Sequence, residues 1–246
     1  MSRLENKVAF ITGGSRGMGA AIALKLAQDG ADIAITYTSA AAKADETVKA
    51  IEKLGRRALA VKADNLDVKA LENAVNEAHA KLGRLDILVN NAGVYTMDTV
   101  DQLELAEFDR VMSIHVRASF VASKAAAVHM GAGGRIISIG SNLAEIVPSA
   151  GLIAYSTSKA ALIGLTKALA RDLGPREITA NIVHPGSTDT DMNPANGDHA
   201  EVQRARMAIP KFGEAKDIAG LVAFLAGEEG RFITGSSFVI DGGANI

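Results

Sequence analysis

Short runs dense in apolar and β-branched residues recur along the chain: KVAFIT, ADIAITY, RALAVKA, LDILVN, GRIISIG, ITANIVH and SSFVID. Runs this continuous read as strands buried on both faces rather than strands with one wet side. Between most of them lie longer stretches with helical spacing. That alternation predicts a doubly wound α/β fold, with helices on both faces of a mostly parallel sheet of about seven strands. No repeat, low-complexity tract or linker interrupts the pattern, so residues 1–246 are expected to form one domain. The one long irregular stretch, 187–210, contains NPANGDH and is expected to be a lid over a binding site, because loops of that length in compact domains tend to be functional.

Composition narrows the function classes. Hydrophobic residues make up 48% and charged residues 22%, with a formal net charge of -2, which offers no surface for a polyanion, so nucleic acid is not an expected partner. The absence of cysteine excludes disulfides, thiolate metal sites and cysteine nucleophiles together. No apolar stretch matches a signal peptide core with its cleavage site or a membrane span, and a cytoplasmic location without a membrane partner is expected.

TGGSRGMG, residues 12–19, stands where the first strand becomes the first helix. Glycines there allow a tight turn and let a pyrophosphate approach the helix amino end, as in Rossmann-type sites. An NAD-selective site of this kind usually carries an acid at the end of the second strand, yet ITYTSA, residues 35–40, has none. Arg16, inside the glycine turn, is placed to meet a 2′-phosphate, with Ser15, Thr38 and Ser39 as hydroxyl donors. NADP(H) is therefore the expected cofactor.

Tyr155 and Lys159 stand one helical turn apart in YSTSKAALIGLTKALARDL, on one face. An ammonium close to a phenol favours the phenolate, so the tyrosine pKa is expected to fall toward a range useful for acid-base work. Ser141 lies upstream at a strand's end. SIHVRAS, residues 113–119, puts His115 within an apolar helical stretch, where it reads as a catalytic base, a metal ligand or a core histidine with satisfied hydrogen bonds. No second histidine or carboxylate stands at ligand spacing on that helix, and DHAE, residues 198–201, reads as a solvated turn, so no metal is expected.

The glycines at 13, 17 and 19, NNAG at 90–93, SIGS ending at Ser141, YSTSK at 155–159 and HPGST with Pro185 and Gly186 follow one another in an order that resembles the short-chain dehydrogenase/reductase family over essentially the whole chain. The resemblance implies hydride transfer from a nicotinamide to a carbonyl carbon, with Ser141 holding the oxygen and Tyr155 protonating it. It also implies cofactor contacts from Gly13, Ser15, Arg16, Gly17, Met18, Gly19, Tyr37, Thr38, Ser39, Asp64, Asn65, Asn91, Ala92, Gly93, Tyr155, Lys159, Pro185, Gly186 and Thr188. Among these, Asp64 would bind the adenine, Lys159 the nicotinamide ribose and Thr188 the carboxamide.

His115 falls where the family carries an asparagine, whose main-chain carbonyl holds a water that feeds protons to the lysine and whose side chain stabilises a local kink. Histidine keeps the carbonyl. Its ring either replaces the amide's hydrogen bonds or adds a second titrating group, and a working enzyme with an altered relay is expected because the other catalytic side chains are all present.

The chain broadly resembles 3-oxoacyl carrier-protein reductases, and Arg176 aligns with a basic residue that docks the acidic carrier. VHMGAGGRI, however, has only glycine, alanine and methionine between His129 and Arg135, which favours a small free ketone or aldehyde. STDTDMNPANG looks like a subgroup for which a signalling role, including cyclic dinucleotide binding, has been proposed, so a nucleotide-binding regulator on the same scaffold is the competing reading. The resemblance further implies a homotetramer, with residues 104–130, residues 154–174 and the C-terminal SSFVIDGGANI at subunit contacts.

Overall fold

The computed structural model describes residues 3–246. In chain order the first half comprises β1 (Val8–Ile11), α1 (Gly17–Gln28), β2 (Asp32–Tyr37), α2 (Ala41–Glu52), β3 (Ala58–Lys62), α3 (Val68–Leu82) and β4 (Ile87–Asn90). The second comprises α4 (Leu105–Met112), α5 (Ala118–His129), β5 (Arg135–Ile139), α6 (Ile153–Leu173), β6 (Thr179–Pro185), the short strand β7 (Thr188–Asp189), α7 (Ala200–Arg204), the short strand β8 (Gly213–Glu214), α8 (Ala215–Ala226) and β9 (Ser237–Ile240). Seven strands form one parallel sheet in the order β3-β2-β1-β4-β5-β6-β9, the doubly wound arrangement expected from the hydrophobic runs.

The strands are apolar throughout because both faces are covered, and their period-two geometry divides each of them between two cores. Ala9, Ile11, Ile33 and Ile35 pack with Ile22, Leu26 and Val222 of α1 and α8 on one face. Val8, Phe10, Ala34 and Leu88 pack with Leu71, Val75 and Ala122 of α3 and α5 on the other.

Strand order reverses between β1 and β4, which opens a crevice at the carboxyl edge of the sheet. Thr12, buried at the end of β1, spans it: its hydroxyl oxygen accepts from the amides of Asn91 at 2.9 Å and Ala92 at 3.0 Å. Asn91 returns the link, its side-chain amide donating to the carbonyls of Thr12 at 2.9 Å and Gly13 at 3.1 Å.

Two elements differ from the sequence reading. The helical stretch expected around SIHVRAS is interrupted by a π-helical turn at Ser113–Arg117. Two side chains supply the donors that stabilise this widened turn: Ser119 donates to the His115 carbonyl at 2.6 Å and Asn65 to the Ile114 carbonyl at 3.1 Å. Such turns recur at functional sites. The stretch 187–210 is not irregular throughout, since β7 pairs in parallel with β8 and α7 is joined to the preceding turn by reciprocal amide bonds between Asn193 and Gln203, both 2.9 Å.

Thr12→Val keeps the shape of the side chain but strands two amide donors, so its unfolding free energy in urea is expected to drop by about 2 kcal/mol. Thr12→Ser, which keeps the acceptor, is expected to lose less. Equal stability of Thr12→Val and the native protein would show that the hydroxyl does not hold the crevice.

Candidate active site

The carboxyl edge gathers the residues that sequence reasoning singled out. Gly13 and Gly17 turn with φ of 65° and 54°, a region that favours glycine, and a Cβ on Gly19 would stand 2.3 Å from the Gly13 carbonyl oxygen. Helix α1 can therefore start directly against the turn. Its first turn carries no acid, and Arg16 at its N-cap makes no side-chain cap, so this end of the helix suits an anion. The glycine cradle and the helix amino end fit a dinucleotide pyrophosphate.

Around the cradle, Thr38 and Ser39 lie exposed beyond β2 next to Tyr37, and Ser15 and Met18 are half-buried in the turn. Asp64 folds back, its carboxylate accepting from the Leu66 amide at 2.9 Å. The buried Asn65 gives its side-chain amide to the π-helical turn, and that of Asn91 is engaged with the glycine turn, so both shape the crevice from within the protein. Pro185 ends β6. A Cβ on Gly186 would meet Asp241 at 2.5 Å, and the buried Thr188 donates to the Gly186 carbonyl at 3.1 Å.

Deeper in the crevice, Ser141 at the end of β5 faces the Tyr155 hydroxyl from the first turn of α6. The buried Lys159 donates to the Ile139 carbonyl at 3.0 Å, and its ammonium lies 5.7 Å from the centre of the Tyr155 ring. The expected lowering of the tyrosine pKa is not what this geometry produces. Burial pushes the phenol up to about 12, the bond with Ser141 opposes the rise, and Tyr95 adds to it. Burial also brings Lys159 down to about 8.

His115 is 1% exposed and both ring nitrogens are engaged. Nε2 accepts from the Val94 amide at 3.0 Å, which leaves the proton on Nδ1, 2.8 Å from the Ser158 hydroxyl. Ser158 in turn donates to the Tyr155 carbonyl at 2.7 Å. The ring thus joins the loop after β4, the π-helical turn and the first turn of α6. It also stands edge-on to Tyr155, with ring centres 5.7 Å apart. Burial, and then the Lys159 charge, push the imidazole pKa down to about 2. Of the two roles open to this ring, geometry favours replacement of the amide's hydrogen bonds, since a group held neutral does not titrate in a proton relay. A Cβ on Gly93 would lie 3.0 Å from Nε2, so a side chain there would crowd the ring.

Three neighbours escaped the sequence reading. Tyr95 packs edge-on against Tyr155 at 5.1 Å, and its place just after NNAG was the available signal. Ser158 lies inside YSTSK. His184, fully buried in β6, sets Nδ1 3.2 Å from the Ser141 amide, a contact for which the sequence offers no sign. Arg176, aligned with a carrier-docking position, instead donates to the Ala127 and Met130 carbonyls at the carboxyl end of α5.

A family model described as enoyl-(acyl carrier protein) reductase matches residues 13–245. A cyclic-di-GMP-binding biofilm dispersal mediator protein of Escherichia coli K12 is 43% identical, with 98% of each chain covered. A short chain dehydrogenase from Burkholderia cenocepacia, solved in complex with NADP, is 59% identical with a TM-score of 0.98, covering 99% of this chain and 100% of that one. A blue fluorescent protein from a metagenomic library, solved in complex with NADPH, is 52% identical with a TM-score of 0.97 over the same shares.

The neutral His115 sets a pH dependence. Below the ordinary pKa of 6.5 the unfolded chain takes up a proton at this residue and the folded chain does not, so stability present above pH 6.5 is lost as pH falls. In urea titrations the native protein is expected to lose about 1.4 kcal/mol per pH unit from this group between pH 6 and 5. His115→Asn is expected to remove that part of the slope, and identical slopes would place the imidazole pKa near its ordinary value.

Proposed function

The chain belongs to the short-chain dehydrogenase/reductase family, and on that premise we propose that it uses NADPH to reduce a small ketone, aldehyde or 3-oxoacyl-type carbonyl, with alcohol oxidation as the reverse reaction. The observation that carries this reading is the Ser141 and Tyr155 pair at the carboxyl edge, with the buried Lys159 behind it. The NADP(H) preference is supported by Arg16 in the glycine turn, by the lack of an acid at the end of β2 and by the NADP-bound relatives.

NADPH, when bound, supplies the hydride. Ser141 donates a hydrogen bond to the substrate oxygen and steadies the charge that develops there. Tyr155, with a pKa near 12, keeps its proton at neutral pH and delivers it to the more basic alkoxide. Lys159 sits behind the tyrosine and stabilises the phenolate left by that transfer. His115 and Ser158 hold the catalytic turn of α6 against the loop after β4, so that the two hydroxyls stay aligned. The segment 187–210 serves as the lid, and Tyr95 and Met97 form an apolar margin next to Tyr155 that suits a small uncharged substrate.

We also propose a homotetrameric, cytoplasmic protein. The exposed Leu105, Phe120 and Val128 on α4 and α5, together with a groove in which Met112, Val116, Phe120 and Leu165 lie beside Asp109 and Arg117, support subunit contacts along these helices. Among the described residues no helix is long and apolar enough to cross a membrane. A second reading, a nucleotide-binding regulator, is supported by the E. coli relative described as binding cyclic-di-GMP.

Turnover separates the readings. With NADPH and a panel of small ketones, diketones and 3-oxoesters, the native protein is expected to react, and Tyr155→Phe to lose about 10²–10⁴-fold in kcat while still binding NADPH in calorimetry. Failure of the native protein on every carbonyl, together with binding of cyclic-di-GMP, would favour the regulator. Light scattering is expected to give four times the chain mass, and a monomeric mass would overturn the tetramer.

A further inference from the structure

The segment 187–210 touches the glycine turn through one charged contact that the reaction does not use. The Asp191 carboxylate lies 2.7 Å from Lys43 Nζ in the first turn of α2, and the same oxygen is 3.9 Å from an Arg16 guanidinium nitrogen. Two cations from separate elements, one leading into α1 and one following β2, therefore share a single anionic group. Thr190 sits beside this contact, its methyl 3.7 Å from the place a Cβ on Gly17 would take. The turn is anchored from behind, with the Asn193 amide donating to the Thr190 carbonyl at 3.1 Å and the Ala195 amide to the Asp189 carboxylate at 2.9 Å. No acid stands at the end of β2, and the carboxylate that these cations meet comes from the stretch after β6.

We propose that Lys43 and Asp191 determine cofactor preference together with Arg16: Lys43 is a second cation for the 2′-phosphate, and Asp191 is an internal counter-anion whose place that phosphate takes. The inference rests on the NADP(H) reading above. A phosphate monoester carries close to two charges and three acceptor oxygens at neutral pH, so it can engage both cations where a carboxylate holds one closely and one at a distance. NADH brings no such group and leaves the Asp191 contact intact. All three side chains are about half exposed, so the exchange tunes selectivity by a modest factor rather than acting as an absolute gate.

Calorimetry on the full chain at low salt tests this with four ligands: NADPH, NADH, 2′,5′-ADP and 5′-AMP. Asp191→Asn is expected to tighten NADPH and 2′,5′-ADP by about 2- to 5-fold relative to NADH and 5′-AMP. Lys43→Met is expected to weaken the phosphate-bearing ligands by about 5- to 10-fold relative to the others. Both effects are expected to shrink as salt rises. Asp189→Asn removes a neighbouring charge that faces the Ala195 amide rather than the cations, and is expected to leave the ratio unchanged. A native protein that binds NADH as tightly as NADPH would sink the NADP(H) reading itself. Native preference for NADPH with an unchanged ratio in Asp191→Asn, or an equal gain in Asp189→Asn, would overturn the exchange. An unchanged ratio in Lys43→Met would overturn the second cation.

Discussion

Thr12 and Asn91 tie the first and fourth strands together at the point where the sheet reverses its strand order, and the candidate chemistry is arranged around that junction. A parallel sheet places every strand's carboxyl end on one edge, so residues distant in sequence arrive together there: Gly13 after β1, Gly93 after β4, Ser141 after β5 and Gly186 after β6. Beyond the last paired residues of β1 and β4, the amides of Asn91 and Ala92 and the carbonyls of Thr12 and Gly13 turn to side chains rather than to a neighbouring strand. One threonine hydroxyl and one asparagine amide supply those partners, and the crevice persists because its polar groups are satisfied from inside.

Burial sets the electrostatics of the crevice. Tyr155, Lys159 and His115 are each driven toward their uncharged forms, the phenol upward and the two bases downward. The opposite edge of the sheet behaves differently. There burial raises Asp86, yet Arg84, the Val8 amide and Lys7 outweigh it and its pKa falls. Asp32, raised by burial and lowered more strongly by Arg57 and Arg56, follows the same course. Asp86 and Asp32 at the amino edge are held charged by cationic partners, whereas Tyr155, Lys159 and His115 at the carboxyl edge are held toward neutrality by burial.

His115 illustrates how a departure from a family pattern is absorbed. An imidazole is bulkier than the amide it replaces, and the missing side chain of Gly93 leaves space beside it. With Nε2 accepting and Nδ1 donating, the neutral ring spans two bonding partners on opposite sides. A charged ring would lose the bond from the Val94 amide and face the Lys159 ammonium, so the same contacts that accommodate the histidine keep it from titrating.

The strand and helix alternation, the glycine turn, and the pairing of Tyr155 with Lys159 were legible in the sequence because each is set by short-range geometry: period two, period 3.6, or a turn that only glycine makes easily. What the sequence did not disclose depends on residues brought together from far apart. The π-helical turn takes its donor from Asn65, the neutral state of His115 follows from Val94, Ser158 and Lys159, and the high pKa of Tyr155 comes from packing around its hydroxyl. Asp191 meets Lys43 only because the stretch after β6 crosses back over the first glycine turn. Periodicity determined which residues would lie at the carboxyl edge, while the tertiary structure decided their charges and partners, because desolvation and hydrogen bonding depend on neighbours that spacing along the chain does not encode.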